Sequence, residues 1–119
     1  MKTFTKVNKD LGLKETSDWG IINSDENRVE EFILYYFENS VEKSTEMEFI
    51  NLVFSSMNEA LISKKNTIDI DRLFYKFISK IEKNEINLMI INLWASYKST
   101  DTDPFPVTEL INKAMVYKK

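Results

Sequence analysis

Cysteine and histidine are both absent from this sequence of 119 residues. Without them the chain can form no disulfide, no thiolate nucleophile, no Cys or His zinc site and no imidazole acid–base pair. The carboxylates, lysines and hydroxyls that remain form no recognisable catalytic arrangement. We therefore expect no catalytic residue, no cofactor and no enzymatic activity, and a protein that acts by binding another macromolecule.

Long apolar runs are also missing. No stretch approaches the ~20 apolar residues that a membrane-spanning helix requires. The N-terminal segment 1–9 is basic but lacks the apolar core of a secretory signal peptide. These features predict a cytoplasmic protein that makes no contact with a membrane.

Glycine and proline are scarce and unevenly placed. Gly12 and Gly20 are the only glycines, and Pro104 and Pro106 are the only prolines. Residues 21–103 therefore contain neither glycine nor proline. Helices tolerate this, whereas a strand-rich fold needs Gly and Pro in its tight turns. The length fits one domain. The sequence predicts an all-α fold, a compact bundle of about five helices that forms one domain over residues 1–119.

Apolar residues recur at intervals of three and four in five segments, which is the helical period. In chain order, these segments begin near Asp25, Thr45, Ile68 or Asp69, Asn84 and Pro104. The first helix is expected to end near Asn39. The second is expected to begin with a capping box formed by Thr45 and Glu48. Residues 1–20 are expected to be loosely ordered or to add a short helix around Lys9 to Thr16.

The fourth predicted helix has apolar residues on two opposite sides. Its main row is Ile86, Met89, Ile90, Leu93, Trp94 and Tyr97, and Leu88, Ile91 and Ala95 lie opposite that row. A helix that is apolar on both sides usually contacts neighbours on both sides. We therefore expect this helix to be central and the main row to be buried.

The first predicted helix allows two interpretations. Leu34 and Tyr35 lie roughly opposite the row that starts at Val29, so this helix also has a second apolar side. Burial against a further helix would explain them. Glu31 and Glu38 share the same side, however, and an apolar centre within a charged rim is typical of a protein interface.

The charge is concentrated in one part of the chain. The net charge is −3, yet residues 15–60 carry eleven acidic side chains and only Arg28 and Lys43 as basic ones. One interpretation is a solvated surface that keeps the protein soluble. The other is a surface complementary to a basic partner. For the second, the candidate partner-binding residues are Glu31, Leu34, Tyr35, Glu38, Glu42 and Glu46.

A row of lysines in the second half of the chain is the basic counterpart of the acidic segment 15–60. Lys76, Lys80 and Lys83 fall on one side of the third predicted helix, where they could contact nucleic acid phosphates. A pI of about 5.1 and the absence of arginine from the row argue against that role. The same row is typical of the solvated side of a bundle helix.

Two pairs of carboxylates could hold a hard cation such as Mg²⁺ or Ca²⁺. They are Asp69 with Asp71 and Asp101 with Asp103. Each pair lies where a predicted helix begins, so helix capping explains it without a metal. A calcium loop would need further oxygen ligands at regular spacing, and these are missing. We expect no metal site.

Three segments resemble small helical immunity proteins of bacterial contact-dependent growth inhibition and related polymorphic toxin systems. They are Asp18-Trp19-Gly20-Ile21-Ile22-Asn23, then Arg28-Val29-Glu30-Glu31-Phe32-Ile33 with Tyr36, and Ser56-Met57-Asn58-Glu59-Ala60-Leu61. The resemblance covers about the first half of the chain. It implies a cytosolic protein that binds one cognate toxin domain, commonly a basic nuclease, and blocks its active site or substrate surface.

Two alternatives from other classes stay open. A structural or regulatory module could form a homodimer through the second apolar side of the first or fourth predicted helix. A nucleic-acid-binding domain would use the lysine row instead.

Overall fold

The computed structural model describes residues 4–100 and 104–116, and all regular structure within them is helical. The all-α prediction is confirmed, with two helices more than the five that apolar spacing indicates. In chain order, the helices are α1 (Thr5–Leu11), α2 (Trp19–Ile22), α3 (Val29–Glu38), α4 (Lys43–Ile62), α5 (Ile68–Ile81), α6 (Glu85–Ala95) and α7 (Pro106–Val116). The described residues span 35 × 31 × 25 Å.

The N-terminal helix α1 lies earlier in the chain than the predicted segment Lys9 to Thr16. It ends at Leu11 because Gly12 adopts a left-handed conformation, with φ of 67°, and donates its N–H to the carbonyl oxygen of Asn8. Glycine is the residue that tolerates this C-terminal geometry most readily. The apolar side of α1 is buried, so the segment is part of the core.

The short helix α2 fastens α1 to the rest of the fold through Trp19. The indole is buried and stacks on Phe4, with ring centroids 4.7 Å apart. Its Nε1–H donates to Oδ1 of Asn8, 2.7 Å away. Gly20 follows and packs directly on α4: a Cβ atom there would lie 2.5 Å from the carbonyl oxygen of Glu48. Only glycine allows α2 and α4 to approach so closely.

The longest helix, α4, is the centre of the bundle. It packs against α2, α3, α6 and α7, and its buried apolar residues cover more than half of its circumference: Phe49, Ile50, Leu52, Val53, Phe54, Met57 and Ala60. The single inward row that the sequence indicates for this helix therefore understates its burial. Aromatic rings gather around Phe54, which contacts Phe74, Phe77 and Trp94.

The predicted capping box at the start of α4 is wrong. The helix begins at Lys43, so Thr45 lies inside the first turn and is buried. The Glu48 carboxylate accepts instead from the N–H of Gly20, at 3.2 Å, and from the side-chain amide of Asn51. A contact with α2 has taken the place of the local cap.

The helix α5 begins where the sequence predicts, with Thr67 as its N-cap: the Thr67 hydroxyl accepts from the N–H of Ile70. Asn84 caps α6 in the same way. The start of α7 is held by the central helix, because Oδ1 of the buried Asn58 accepts from the N–H of Val107 at 3.1 Å.

The prediction that α6 is buried on both sides is wrong. Ile91 and Trp94 are buried towards α4 and α7, and Trp94 donates its indole N–H to Asn51 on α4. Three members of the row that was expected to face inward are exposed instead: Ile86, Met89 and Leu93. Within the described ranges 4–100 and 104–116, the bundle covers one side of α6 and leaves the other exposed.

Candidate functional site

The candidate site is built on α3, which starts four residues later than predicted. Residues Asp25 to Arg28 form a turn, in which the N–H of Arg28 donates to the carbonyl oxygen of Asp25 at 3.1 Å. The N–H of Asp25 donates to the Ser56 hydroxyl on α4. This contact with α4 holds the preceding segment in place, and the helix proper begins at Val29.

The outward side of α3 carries one apolar residue between two carboxylates. Glu30, Leu34 and Glu38 follow each other at intervals of four, so they lie in a row on one side of the helix. All three side chains are exposed, and Leu34 is 38% exposed. At 1.5 Å per residue, the two glutamates are about 12 Å apart along the helix axis.

An open groove of about 560 Å³ lies beside this row. It is lined by Leu11, Glu30, Glu31, Leu34, Tyr35 and Glu38. Leu11 and Tyr35 are almost fully buried and form an apolar floor, whereas the three glutamates are exposed and form the rim. We call this feature the α1–α3 groove. Four of the six candidate residues from the sequence line it.

Tyr35 does not project from the surface as the sequence interpretation required. Only 9% of it is exposed, and its ring stacks on Phe49 of α4 with centroids 5.9 Å apart. Its hydroxyl donates to Oδ2 of Asp10, 2.8 Å away on α1. Burial, together with this hydrogen bond, raises the pKa of Tyr35. Leu34 is therefore the exposed apolar contact of the groove, and Tyr35 belongs to its buried floor.

The wall of the groove is held in place by Asp10. The same Oδ2 atom that accepts from Tyr35 also accepts from Nζ of Lys6, at 2.6 Å. The Lys6 ammonium and, after it, the Tyr35 hydroxyl hold the pKa of Asp10 below its usual value. The hydrogen bond from Tyr35 connects α3 to α1, the helix that carries Leu11.

The three glutamates of the rim differ in how their charge is compensated. Glu31 forms a bidentate pair with Arg28, with Nε–Oε1 at 2.7 Å and Nη2–Oε2 at 2.9 Å, which lowers the pKa of Glu31. Arg28 also donates to the carbonyl oxygen of Leu11. Within the described part of the chain, Glu30 and Glu38 form no ion pair. The uncompensated negative charge of the groove is therefore that of Glu30 and Glu38.

The two remaining candidates, Glu42 and Glu46, lie outside the α1–α3 groove. Glu42 precedes α4 and lines a separate groove of about 380 Å³ between α1 and the start of α4. Glu46 accepts a 2.6 Å hydrogen bond from the Tyr36 hydroxyl, and burial together with this carboxylate raises the pKa of Tyr36. Its carboxylate is occupied within the fold.

Several other acidic residues of the segment also have internal partners. Glu26 pairs with Lys65 at 2.7 Å and accepts from the Ser63 hydroxyl, contacts that lower the pKa of Glu26. Glu59 accepts from Ser24 at 3.0 Å. Part of the acidic segment therefore joins elements of the fold, whereas Glu30 and Glu38 are exposed at the groove.

The row of three lysines and the two aspartate pairs that the sequence offers as binding sites are less distinctive in the structure than the α1–α3 groove. Lys76 and Lys80 are exposed on α5, and Lys83 is exposed in the turn just after that helix, two residues beyond its end at Ile81. Asp69 and Asp71 lie in the first turn of that helix. The second pair, Asp101 and Asp103, lies outside the described residues. Over residues 4–100 and 104–116, no group of three or more acidic residues is placed to hold a metal ion.

Comparison with protein-family models, curated proteins and solved structures finds no match to this chain. Among the helices that the structure describes, none is both long and apolar enough to cross a lipid bilayer. The α1–α3 groove combines an exposed apolar side chain, Leu34, with the unpaired carboxylates of Glu30 and Glu38.

Proposed function

We propose that this chain is an inhibitory binding protein of the immunity type, which neutralises a cognate basic toxin domain in the cytoplasm by docking it on the α1–α3 groove. One observation carries the proposal: Leu34 is exposed between the unpaired carboxylates of Glu30 and Glu38, beside an apolar floor. The resemblance of the first half of the sequence to immunity proteins points in the same direction.

The anatomy of the groove fits an interface better than a solvated surface. Interface energy is concentrated in a few desolvated contacts, and surrounding polar residues exclude water from them. Leu34 is the exposed part of such a centre, and Leu11 and Tyr35 line the same groove. The carboxylates of Glu30 and Glu38 supply the rim and would accelerate association with a basic surface. Asp10 and Arg28 hold the groove in shape before binding, which reduces the ordering cost of association.

The groove also specifies the chemistry of the partner. The partner needs an apolar side chain that fits beside Leu34, with Lys or Arg on both sides to reach Glu30 and Glu38 across about 12 Å. A nuclease toxin presents basic residues because it must bind phosphates. An acidic protein that covers those residues blocks the substrate surface directly.

The proposal is tested with paired baits in the native cell lysate. Wild-type chain, the Leu34→Asp variant and the control Ile68→Asp variant are each tagged, and captured proteins are identified by mass spectrometry. Ile68 is 67% exposed at the start of α5, away from the groove, so its variant introduces the same charge elsewhere. We expect one basic protein in equal amounts with wild type and Ile68→Asp, and at least tenfold less with Leu34→Asp.

Capture that is equal for all three baits would place the contact elsewhere on the molecule. A captured partner that is acidic would contradict the charge argument. The inhibitory role is tested separately by expressing the captured protein with and without this chain: growth arrest that the chain relieves supports an immunity function, and arrest that persists contradicts it.

A further inference from the structure

The open side of α6 is a second surface that binding at the groove does not use. Ile86, Met89 and Leu93 are 56%, 72% and 51% exposed, and they lie at i, i+3 and i+7 within two turns of one helix. Glu85 is the only ionisable residue between Glu85 and Ala95. Contact between such a row and water is unfavourable. Soluble monomers therefore seldom expose contiguous large apolar side chains, and a row of this kind usually marks an interaction surface.

Over residues 4–100 and 104–116, no other part of the fold covers this row. The helix packs on α4 and α7 through the opposite side, where Ile91 and Trp94 are buried. The row is also separate from the proposed binding site, because α3 packs on α4 and α5. A partner on α6 would therefore leave the α1–α3 groove free.

The row Ile86, Met89 and Leu93 has nearly the same spacing when it is read in either direction along the helix. Ile86 and Leu93 are about 10 Å apart along the axis, and Met89 lies next to their midpoint. When two copies of α6 cross in antiparallel fashion around a two-fold axis, Ile86 of each copy lies opposite Leu93 of the other, and the two Met89 side chains meet at the axis. A two-fold interface requires self-complementarity of this kind.

The charges at the two ends favour the same arrangement. Glu85 is exposed at the N-terminal end of α6, and Lys98 is exposed just beyond the C-terminal end. Antiparallel pairing brings Glu85 of one copy towards Lys98 of the other, whereas parallel pairing would place the two glutamates together. Antiparallel helices also set their dipoles in opposition, which is favourable. We propose that the chain forms a two-fold symmetric homodimer through an antiparallel contact between two copies of α6, centred on Met89.

The absence of cysteine gives a direct test of this geometry. Helices in contact have axes ~8–10 Å apart, so Cα atoms that face each other at the axis lie within reach of a disulfide. The Met89→Cys variant is oxidised mildly and compared with Met47→Cys, whose thiol is on the exposed side of α4. Labelling with a small maleimide shows that both thiols are accessible. We expect most of the Met89→Cys chain, and at least fivefold less of Met47→Cys, to run as a covalent dimer.

The charge pairing is tested by sedimentation equilibrium of the full chain. We expect wild type to show a concentration-dependent mass between monomer and dimer, and Glu85→Lys and Lys98→Glu each to raise the dissociation constant severalfold. The double variant Glu85→Lys/Lys98→Glu should restore the wild-type value, because the pairing is between copies and survives the exchange. A wild-type chain that stays monomeric at about 1 mM overturns the proposal, even if α6 binds another protein. A double variant without rescue overturns the antiparallel arrangement.

Discussion

The hydroxyl of Tyr35 donates to Oδ2 of Asp10 across 2.8 Å and thereby fastens α1 to α3. Tyr35 belongs to the floor of the α1–α3 groove, and α1 supplies Leu11 to the same floor. The shape of the groove therefore depends on a contact between residues that are 25 positions apart in the sequence.

Replacing Tyr35 by Phe should loosen α1 specifically. The hydroxyl is lost and the ring stays stacked on Phe49, so we expect the free energy of unfolding to fall by about 1 kcal/mol, as for one net hydrogen bond. Urea denaturation measures that loss. Hydrogen exchange should show faster exchange of the α1 amides, because their attachment to α3 is weaker.

The Tyr36→Phe variant is the control for that measurement. It removes the hydrogen bond between Tyr36 and Glu46, which joins α3 to α4 and does not involve α1. We expect a similar loss of stability without selective exchange in α1. If both variants changed α1 exchange equally, the Asp10 contact would not be what holds α1 in place.

The two glycines should respond differently to a methyl group. Gly20→Ala places Cβ 2.5 Å from the Glu48 carbonyl oxygen and 2.9 Å from the Leu52 nitrogen, both backbone atoms that cannot move cheaply. We expect a loss of about 3 kcal/mol or more, as for overpacking in a core. Gly12→Ala meets open space and carries only the cost of its left-handed φ, about 1 kcal/mol. Thermal unfolding of both variants gives the comparison, and equal losses would contradict the close packing of α2 on α4.

The free energy of unfolding should be nearly constant around neutral pH and should decrease at both low and high pH. The pKa values of Glu26, Glu31 and Asp10 are lowered in the folded state, so their stabilising contribution is present above their ordinary values, 4.5 for the glutamates and 3.8 for Asp10, and is lost as the pH falls below those values. The pKa values of Tyr35 and Tyr36 are raised above 10.0, so stability also falls as the pH rises past 10.0. No histidine titrates between these limits.

Urea denaturation at a series of pH values checks this profile. The Arg28→Ala variant removes the partner of Glu31. We expect this variant to lose less unfolding free energy than wild type as the pH falls, and to lose the same amount as wild type as the pH rises past 10.0. A stability maximum confined to a narrow range near neutrality would contradict the assignment of these groups.

The fold class follows from the sequence because the apolar period and the absence of Gly and Pro are local signals. The central position of α4 does not follow, since its buried face includes Ser55, Ser56 and Asn58, which interrupt the apolar pattern. Two of these polar side chains bind neighbouring segments: Ser56 accepts from the N–H of Asp25, and Asn58 accepts from the N–H of Val107. The sequence also predicts that the row Ile86, Met89 and Leu93 is buried, because apolar residues at helical spacing usually face a core. Spacing within one helix does not tell whether another helix packs on that side, and here the row is exposed.

The candidate site was predicted in part. Helical spacing is enough to bring Glu31, Leu34 and Glu38 to one surface, and the same spacing identifies Glu30, four residues before Leu34, which the sequence interpretation overlooked. The burial of Tyr35 could not be predicted, because it depends on where α1 packs. The internal pairing of Glu46 with Tyr36 likewise depends on the angle between α3 and α4.

The central claim is that Glu30 and Glu38 steer a basic partner into the groove. The most direct measurement is the association rate of the captured partner with wild type and with Glu30→Lys/Glu38→Lys, at several salt concentrations. The double variant Asp69→Lys/Glu109→Lys is the control, because it changes the net charge equally at exposed residues outside the groove.

We expect the groove variant to associate at least tenfold more slowly than the control at low salt, with the difference shrinking as salt screens the charges. Equal association rates for the groove variant and the control at low salt would contradict the account.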